Sequence, residues 1–456
     1  MKGDVIMHIV VVGFGTAGWL ATVNLRKWNR KDEISVIDEK SYDIYHPCSQ
    51  PYVIGGELSD TQEIVEPFNN KMLKVNFYRR HRATKIDRRS KTIFVEDLQT
   101  GQNLELQYDY LILATGSQPW SPPIPGVNSR NVYSLKWIED TAAIRNAASS
   151  AKKAVVIGAS AIGLEVGIEL AKRGIDTVII ELLPHILPKA LDQDFAEYLQ
   201  EKLLQALPNL RIFTGTVAKE FHVNDSGLVE RVITDKEEFD TDIVIMATGV
   251  RPNVSLAKEA GLKIGKYGGI VVDETMRTSD PSIYAAGDCV ETLGFIDKKP
   301  TLALLASSAV RMARIAAMSI VKPGFLTFPG VLNNFIVPLV NIRVGSVGLT
   351  THTATENGYS FVTAKVKTTD KPEHIPDATE FLIKLLIEKN TGKFLGAQAI
   401  GSDSITDNLN IISLAIQSGL TYKDILNSDL CYAPAVNDTL YPVVKAIELA
   451  LKKLSK

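Results

Sequence analysis

One local pattern occurs twice in this chain, and it restricts the possible folds more than any other feature of the sequence. Each copy has a short apolar strand, a glycine-rich turn, a helical stretch and a second strand that ends in an acidic residue. The first copy begins at Ile9 and the second at Val155. This order is that of a βαβ unit, the building block of a parallel sheet covered by helices. We therefore predict two similar Rossmann-like domains in one polypeptide.

The two glycine-rich turns are the expected sites for the pyrophosphate group of a dinucleotide. A turn without side chains lets the backbone approach the anion, and the following helix offers its free amides and the positive end of its dipole. The acid that ends the second strand then accepts hydrogen bonds from ribose hydroxyls, usually about 20 residues further on. The predicted dinucleotide residues are Gly13, Gly15, Thr16, Ala17, Gly18, Asp38 and Glu39 in the first copy and Gly158, Ser160, Gly163 and Glu181 in the second.

Two features of the second copy bear on its ligand. Ser160 replaces the middle glycine of the turn. For both copies the alternative is an ordinary turn that binds no ligand. The serine favours this alternative more in the second copy than in the first. The carboxylate of Glu181 would repel the 2′-phosphate of NADPH, which favours NADH unless a neighbouring lysine or arginine reverses the preference.

The repeat extends beyond the turns into a later strand of each copy. Residues 112–119 and 245–252 match almost position by position. Each run leads from the end of a strand into a glycine turn, at Thr115 and Gly116 in the first copy and at Gly249 in the second. The duplication therefore covers whole domains and is not confined to one short motif.

Two linkers divide the chain. Four prolines and a glycine at 119–126 mark the first, and a Pro-Gly pair within 322–325 marks the second. After the second linker, alternating strand patterns are followed by helical periodicity at 411–417 and 443–451. We predict an α/β protein with two Rossmann-like dinucleotide-binding domains and a separate C-terminal α+β domain.

The overall composition argues against several classes of protein. The 50 basic and 52 acidic residues leave a formal net charge of -2, so the chain as a whole has no field that would attract nucleic acid. The most apolar stretch, 301–321, is interrupted by Arg311 and Arg314, and we predict a buried or amphipathic helix there instead of a membrane span. The three cysteines form neither a CxxC motif nor an even framework, which favours a reducing cytoplasm. No metal site is predicted.

A third segment, 278–288, has the pattern of a strand that ends in Ala-Gly-Asp. The carboxylate of Asp288 could accept hydrogen bonds from a polyol, and a turn or helix cap is the alternative. With this segment in place, the order of motifs across nearly the whole chain resembles the pyridine nucleotide-disulfide oxidoreductase family. The resemblance implies that Gly287 and Asp288 hold the ribityl chain of FAD. It also implies that the second copy binds NADH or NADPH, with Ile162 and Glu165 bordering the nicotinamide.

The same resemblance implies a division into three domains. The FAD-binding domain would be discontinuous, with residues 7–120 and 250–325 folding together. Residues 121–249 would form the NAD(P)H-binding domain. Residues 326–456 would form a C-terminal dimerisation domain that builds a homodimer.

Cys48 follows the second strand of the first copy, at the edge of the expected FAD crevice. A cysteine often does no more than pack, whereas the family resemblance implies a thiol that lies against the flavin and passes electrons to sulfur. The next cysteine is Cys289, so the chain resembles the single-cysteine branch of coenzyme A disulfide reductases, NADH persulfide or polysulfide reductases, NADH oxidases and NADH peroxidases. Ser49 stands where this branch commonly has glycine. Thr16 stands where peroxidases and many water-forming oxidases have histidine, which disfavours a peroxide substrate.

Four further residues are expected near the substrate. His46 could stabilise a Cys48 thiolate, or it could be an ordinary loop histidine. Tyr432 resembles the tyrosine that in this branch reaches the thiol site of the other subunit, and packing at the interface is its alternative. Arg26 and Lys27 occupy positions where coenzyme A reductases of this branch have a basic pair, although basic residues also favour the ends of helices in general.

We predict an FAD-dependent NAD(P)H oxidoreductase that reduces a sulfur substrate through one cysteine. Coenzyme A disulfide or persulfide is the first choice of substrate and polysulfide the second. The alternatives are an NADH oxidase that makes peroxide or water and a flavoprotein that passes electrons to a protein partner. The expected partners are a small sulfur compound and a second copy of the chain.

Overall fold

The computed structural model describes residues 6–454. They form two compact units. The first contains the described residues up to Gln50, together with Ser59–Trp120 and Val250–Val331. The second contains Pro51–Leu58, Ser121–Gly249 and the described residues from Leu332 onward. No helix within the described range is long and apolar enough to cross a membrane.

The helices of the described residues are up to 16 residues long. Two short 3₁₀ helices, Pro47–Ser49 and Thr61–Ile64, accompany the α-helices. The α-helices are α1 (Thr16–Trp28), α2 (Gln50–Gly55), α3 (Ile138–Ala147), α4 (Ala161–Lys172), α5 (Gln193–Ala206), α6 (Ser255–Glu259), α7 (Ala306–Val321), α8 (Thr351–Glu356), α9 (Ile405–Ser418), α10 (Tyr422–Leu426) and α11 (Pro442–Leu454).

The strands belong to several separate sheets, of which three have five strands each. The strands are β1 (His8–Val12), β2 (Glu33–Asp38), β3 (Ile44–Tyr45), β4 (Val65–Glu66), β5 (Asn76–Arg79), β6 (His81–Asp87), β7 (Thr92–Asp97), β8 (Asn103–Gln107), β9 (Tyr110–Leu113), β10 (Ser117–Pro119), β11 (Val132–Ser134), β12 (Lys153–Ile157), β13 (Asp176–Ile180), β14 (Leu210–Phe213), β15 (Ala218–Val223), β16 (Val229–Thr234), β17 (Glu238–Asp240), β18 (Ile243–Met246), β19 (Val250–Pro252), β20 (Ile270–Val271), β21 (Ile283–Ala285), β22 (Val290–Leu293), β23 (Pro300–Leu302), β24 (Phe335–Leu339), β25 (Ile342–Gly348), β26 (Phe361–Thr369), β27 (Glu380–Glu388) and β28 (Phe394–Gly401).

The first unit is built around a parallel sheet with the strand order β21-β9-β1-β2-β5. Ile9, Val10 and Val11 of the central strand are fully buried, as expected for a parallel sheet that is covered on both faces. Helices α1 and α7 pack against each other over this sheet. The apolar stretch that contains Arg311 therefore forms a packed helix, as the sequence predicts. The carboxyl ends of β1 and β9 lie side by side, at the edge where parallel sheets bind their ligands.

The second unit repeats this arrangement and adds another layer. Its parallel sheet has the order β11-β18-β12-β13-β14, and α4 packs on β12 and β13. An antiparallel sheet of order β24-β25-β28-β27-β26 carries α9 and α11. The predicted fold class, two Rossmann-like sheets followed by an α+β domain, is confirmed.

Within the second unit, a buried polar network connects the start of α5, a helix that packs on β14, to the antiparallel sheet. Lys384 on β27 is 7% exposed, and its Nζ lies 2.9 Å from Oδ2 of Asp192, at the start of α5. The amide of Asp192 donates to Oε1 of Gln398 on β28, at 2.9 Å. Removing one partner of a buried ion pair typically costs about 3–5 kcal/mol. The domain boundaries drawn from the sequence remain a prediction.

Candidate functional site

The first glycine-rich turn connects β1 to α1 and is shaped by two glycines. Gly13 has a φ of +91°, and a β-carbon there would lie well inside van der Waals distance of the Ala114 carbonyl oxygen. A β-carbon at Gly18 would collide in the same way with the carbonyl oxygen of Gly13. By contrast, a β-carbon at Gly15 would have no atom within 4 Å. Gly13 and Gly18 close the turn, and Gly15 leaves open space in front of the first amides of α1, which suits a pyrophosphate.

Asp38, at the end of β2, braces this turn. Its Oδ2 accepts a hydrogen bond from the amide of Phe14 at 2.6 Å, and its Oδ1 accepts one from the amide of Lys40 at 2.9 Å. The side chain is only 6% exposed. The next acid, Glu39, is exposed and lies 3.2 Å from Arg82. The spacing therefore places the expected acid at the turn, and its contact with a ribose stays a prediction.

The second turn, between β12 and α4, has the same construction. Gly158 has a φ of +105°, and a β-carbon there would lie 2.5 Å from the Ala247 carbonyl oxygen. A β-carbon at Gly163 would collide with the carbonyl of Gly158. Ser160, which replaces the middle glycine, is the residue that precedes α4, and its hydroxyl lies 3.4 Å from the Ala247 oxygen. The serine therefore fits the turn without changing its form.

Glu181 repeats the part that Asp38 has in the first turn. Its Oε2 accepts from the amide of Ala159 at 2.7 Å, and its Oε1 accepts from the amide of Leu183 at 2.8 Å. The carboxylate is 7% exposed. Two turns of equal geometry, each braced by an acid, are what a protein with two dinucleotide sites requires.

The later strand of each copy also ends in a glycine turn. Gly116 has a φ of +66° and Gly249 a φ of +104°. In the first unit, the hydroxyl of Thr115 donates to the Asn253 carbonyl at 2.6 Å. Strand β10, which begins at Ser117, pairs with β19. Both glycines adopt backbone conformations that residues with side chains rarely adopt.

Gly287 and Asp288 follow β21, which pairs with β9 in the first sheet. Gly287 has a φ of +88°, and a β-carbon there would lie 2.9 Å from the β-carbon of Ala17, in the first turn of α1. Oδ2 of Asp288 accepts from the Ser117 hydroxyl at 2.7 Å. The segment near residue 288 is thus brought beside the first glycine turn. The neighbouring Cys289 is fully buried, and burial raises the pKa of its thiol, so it is a packing group.

Cys48 lies in the 3₁₀ helix Pro47–Ser49 and is exposed. His46 precedes this helix, and its Nε2 lies 3.4 Å from Oε2 of Glu66, with both side chains about half exposed. The imidazole therefore has a carboxylate partner of its own, and its action on the Cys48 thiol stays a prediction.

The basic pair at the end of α1 divides into two different environments. Arg26 is 9% exposed, and its guanidinium donates to the carbonyls of Leu73 at 2.7 Å and Lys74 at 2.9 Å. Burial lowers the pKa of Arg26. Lys27 is exposed. Arg26 therefore braces a loop, and Lys27 is the member of the pair that can meet an anion from solvent.

Helix α4 carries an acidic pair of which the sequence singled out only one member. Burial, and then the neighbouring carboxylate of Glu169, raise the pKa of Glu165 to about 7. Burial and the charge of Glu165 also raise the pKa of Tyr52. Ile162, one turn earlier on α4, is 43% exposed. The spacing of four residues on an apolar helix was the signal that could have revealed Glu169.

Near the C-terminus, a run of apolar side chains is open to solvent. Tyr432 is 50% exposed, Val436 63% and Leu440 47%. Cys431 is also exposed, and its carbonyl accepts from the Tyr441 hydroxyl at 2.9 Å. Within residues 6–454, no group of three or more His, Cys, Asp or Glu side chains is placed to hold a metal ion.

The fold and the two turns define the class of the protein. The chain has two parallel sheets, and in each a helix begins directly after a glycine turn whose amide is bound by an acid. This arrangement is typical of oxidoreductases that bind two dinucleotides. Residues 7–313 match the pyridine nucleotide-disulphide oxidoreductase family, and residues 336–442 match the dimerisation domain of that family. The chain therefore belongs to the pyridine nucleotide-disulphide oxidoreductase family.

Relatives of known description resemble the chain over almost its full length. An NADH oxidase from Methanocaldococcus jannaschii is 36% identical, with 98% of this chain and 100% of the relative aligned. An NAD(P)H sulfur oxidoreductase (CoA-dependent) from Pyrococcus furiosus is 31% identical over 96% of this chain and 97% of the relative. The solved structure of an NAD-dependent persulfide reductase from A. fulgidus is 33% identical, covers 98% of this chain and 84% of its own, and superimposes with a TM-score of 0.94.

Family membership has direct consequences for cofactors and assembly. It implies a flavin and a nicotinamide dinucleotide as the two ligands, in agreement with the two glycine turns. The dimerisation domain indicates a homodimer, and the exposed apolar run that contains Tyr432 lies within that domain.

Proposed function

We propose that this oxidoreductase uses NADH and FAD to reduce a disulfide or persulfide of coenzyme A through Cys48. The observation that carries the proposal is the exposed thiol of Cys48, in the first dinucleotide-binding unit and shortly after β2 and β3. The thiolate of a cysteine in this position can attack a disulfide or persulfide sulfur of the substrate. The names of the P. furiosus and A. fulgidus relatives support a sulfur substrate.

The cofactor assignment follows the two turns. FAD would be held by the first turn, Asp38 and Glu39, with Thr115, Gly116, Gly287 and Asp288 near its remaining parts. NADH would be held by the second turn, Glu181 and Gly249, with Ile162 and Glu165 bordering the nicotinamide. Bound FAD would supply a two-electron relay between NADH and sulfur. Glu181 is followed by two leucines and a proline, so no adjacent cation favours the 2′-phosphate of NADPH.

The chemistry at sulfur belongs to this chain's own residues. The Cys48 thiolate attacks one sulfur of the substrate disulfide, a mixed disulfide forms, and the other sulfur leaves as a thiolate. Tyr432 of the partner subunit would donate a proton to the leaving sulfur, and His46 would stabilise the thiolate form of Cys48. Two electrons that come from NADH then cleave the mixed disulfide, which releases its second sulfur as a coenzyme A thiolate and returns Cys48 to its thiolate. Lys27 would attract a phosphate group of coenzyme A.

Three assignments of the sequence belong to this proposal. The FAD-binding domain comprises residues 7–120 and 250–325, the NAD(P)H-binding domain residues 121–249 and the dimerisation domain residues 326–456. The enzyme works in a reducing cytoplasm, where its three cysteines stay reduced. Its functional form is a homodimer in which Tyr432 serves the other subunit's thiol.

Replacing Cys48 by serine tests the proposal. Cys48→Ser removes the nucleophile and leaves the glycine turns unchanged, so reduction of coenzyme A disulfide by NADH should fall by at least about 100-fold while the flavin content stays normal. Oxidation of NADH is followed with coenzyme A disulfide under argon. Cys289→Ser, at the buried packing cysteine, is the matched control. Full disulfide turnover by Cys48→Ser would refute the thiol mechanism.

An NADH oxidase is the second candidate function, and the M. jannaschii relative of that name favours it. In an oxidase, oxygen takes the electrons and a disulfide is not needed. NADH consumption in air with and without coenzyme A disulfide separates the two functions. A rate that depends on oxygen alone identifies an oxidase, and a rate that requires the disulfide under argon identifies a reductase.

A further inference from the structure

The thiol belongs to a helical segment that continues into α2. Cys48 lies in the 3₁₀ helix Pro47–Ser49, and Gln50 follows with helical backbone angles, φ -57° and ψ -43°. Gln50 is also the first residue of α2. Because no extended residue interrupts the segment, a shift of α2 would carry Cys48 with it.

The C-terminal end of α2 is held by an arginine. Nη1 of Arg173 donates to the Ile54 carbonyl at 2.7 Å, and Ile54 is fully buried. The last carbonyls of a helix have no partner within the helix, and a cation favours that end of the helix dipole. Arg173 caps α4, so one guanidinium joins the ends of α2 and α4.

Two more side chains of α4 hold the residues around this contact. Lys172 forms ion pairs with Glu169, at 2.9 Å, and with Glu57. Glu169 is 6% exposed and lies so close to Gly55 that a β-carbon there would collide with its carboxyl group. The three α4 residues are spaced so that they lie on one face of the helix. We call Glu169, Lys172 and Arg173 the α4 clamp.

The other end of α4 is the second glycine turn. The helix begins at Ala161, directly after Ser160, and its 12 residues span about 18 Å. One rigid element therefore has the expected nicotinamide turn at one end and the α4 clamp at the other.

We propose that the α4 clamp positions Cys48 for the reduction step by fixing α2. This inference rests on the proposed function, in which Cys48 is the reacting thiol. The clamp residues are positioning residues, because their contacts are with the end of α2 and with Glu57 just beyond it. Their loss should lower the rate of sulfur reduction and leave the affinity for NADH unchanged, since a small displacement of a reacting group is costly to the rate.

The test uses the holoenzyme with Arg173→Met, which keeps the aliphatic length and removes the donors, and Arg173→Lys, which keeps one donor. Arg173→Met should lower kcat for coenzyme A disulfide about tenfold with KM for NADH within about twofold. Arg173→Lys should restore most of the rate. Arg211→Met is the matched control, because Arg211 is an exposed arginine of the same unit that pairs with Asp176 at 3.3 Å.

A second readout does not depend on turnover. Alkylation of Cys48 by iodoacetamide, followed peptide by peptide with mass spectrometry, should change its rate at least about fivefold in Arg173→Met. Cys431 is also exposed, and its alkylation rate should stay that of the wild type. If Arg173→Met fails to fold, Glu169→Gln replaces it, with the same expected changes.

The two proposals fail in different ways. Wild-type alkylation of Cys48 in a folded clamp variant would overturn the inference, even if the variant melts at a lower temperature. Altered alkylation together with full disulfide turnover by Cys48→Ser would support the clamp and refute the proposed function.

Discussion

The carboxyl group of Glu165 titrates far from its ordinary range. Burial on α4, and then the carboxylate of Glu169, raise its pKa from 4.5 to about 7. The folded protein therefore binds more protons at this group than the unfolded chain does between about pH 4.5 and pH 7. The contribution of Glu165 to the free energy of unfolding is fully present below about pH 4.5 and is lost as the pH rises through about 7.

Glu165→Gln should remove this pH dependence. Glutamine stays neutral, so its advantage over the wild type in free energy of unfolding should grow from pH 5 to pH 8 by on the order of 2 kcal/mol. Urea unfolding of the holoprotein at the two pH values measures the change. Glu220→Gln, at an exposed position on β15, is the control. If the free energies of unfolding of Glu165→Gln and the wild type differ by the same amount at both pH values, the raised pKa of Glu165 is contradicted.

At the scale of single residues, the sequence could select the acids that lie beside the glycine turns and could not give their hydrogen-bond partners. The spacing from the turns was sufficient to select Asp38 and Glu181. It could not show that both carboxylates bind backbone amides of the turns, because those contacts arise only when the strands pair. Nor could it separate the buried Arg26 from the exposed Lys27, since that difference depends on a loop nearly 50 residues away in sequence.

At the scale of elements, the glycines of the first turn are required for different physical reasons. Gly13 and Gly18 are required by contacts within the protein, whereas Gly15 has open space around its missing side chain. Gly15 also has an ordinary backbone φ of -81°. Stability and ligand binding can therefore be tested separately within a single turn.

Gly15→Ala should leave stability within about 0.5 kcal/mol of the wild type and lower the affinity for FAD at least about tenfold, because the new methyl group enters the space for the pyrophosphate. Gly18→Ala should instead lower stability by about 1–3 kcal/mol, since its β-carbon meets the Gly13 carbonyl. The ratio of flavin to protein and the urea midpoint are measured for both. Wild-type affinity for FAD in Gly15→Ala would contradict the placement of the cofactor.

The regular elements around the turns follow from the sequence, and the short ones do not. Strands β1 and β12 are continuous apolar runs, and helices α9 and α11 have apolar residues at helical spacing, so their patterns are long enough to recognise. Helix α2 has six residues, fewer than two turns, and includes Pro51. Its contacts with Arg173 and Glu169 come from a distant part of the chain, and no local pattern records them.

For the whole molecule, the exposed apolar run near the C-terminus is a feature that one chain alone leaves unexplained. Tyr432, Val436 and Leu440 are each close to half exposed or more. They lie in the dimerisation domain of the family. Apolar side chains grouped on a surface are typical of subunit interfaces.

Val436→Asp should dissociate the dimer. A carboxylate placed in a closed interface has no partner and is costly to bury, so the dissociation constant should rise at least about 100-fold. Sedimentation equilibrium measures the mass of the variant and of the wild type. Leu98→Asp, at an exposed leucine of the first unit, should remain dimeric. A monomeric wild type, or a dimeric Val436→Asp, would contradict the assignment.

The sequence predicts the order of the three large sheets because one local pattern occurs twice. Two copies of one pattern predict two similar parallel sheets, and a change to alternating strands predicts the last sheet. The buried Asp192–Lys384 pair that joins the second parallel sheet to β27 was not readable, because a lysine and an aspartate at 192 residues' separation carry no shared signal. Long-range polar contacts of this kind are settled by packing.

The central claim is that two dinucleotide sites in one chain exchange electrons. Anaerobic titration of the purified protein with NADH, followed by the visible absorption of its flavin, tests this most directly. The account predicts that stoichiometric NADH bleaches the flavin and that coenzyme A disulfide restores its colour in the wild type, with no such restoration in Cys48→Ser. A protein without bound flavin, or a flavin absorption that NADH leaves unchanged, would contradict it.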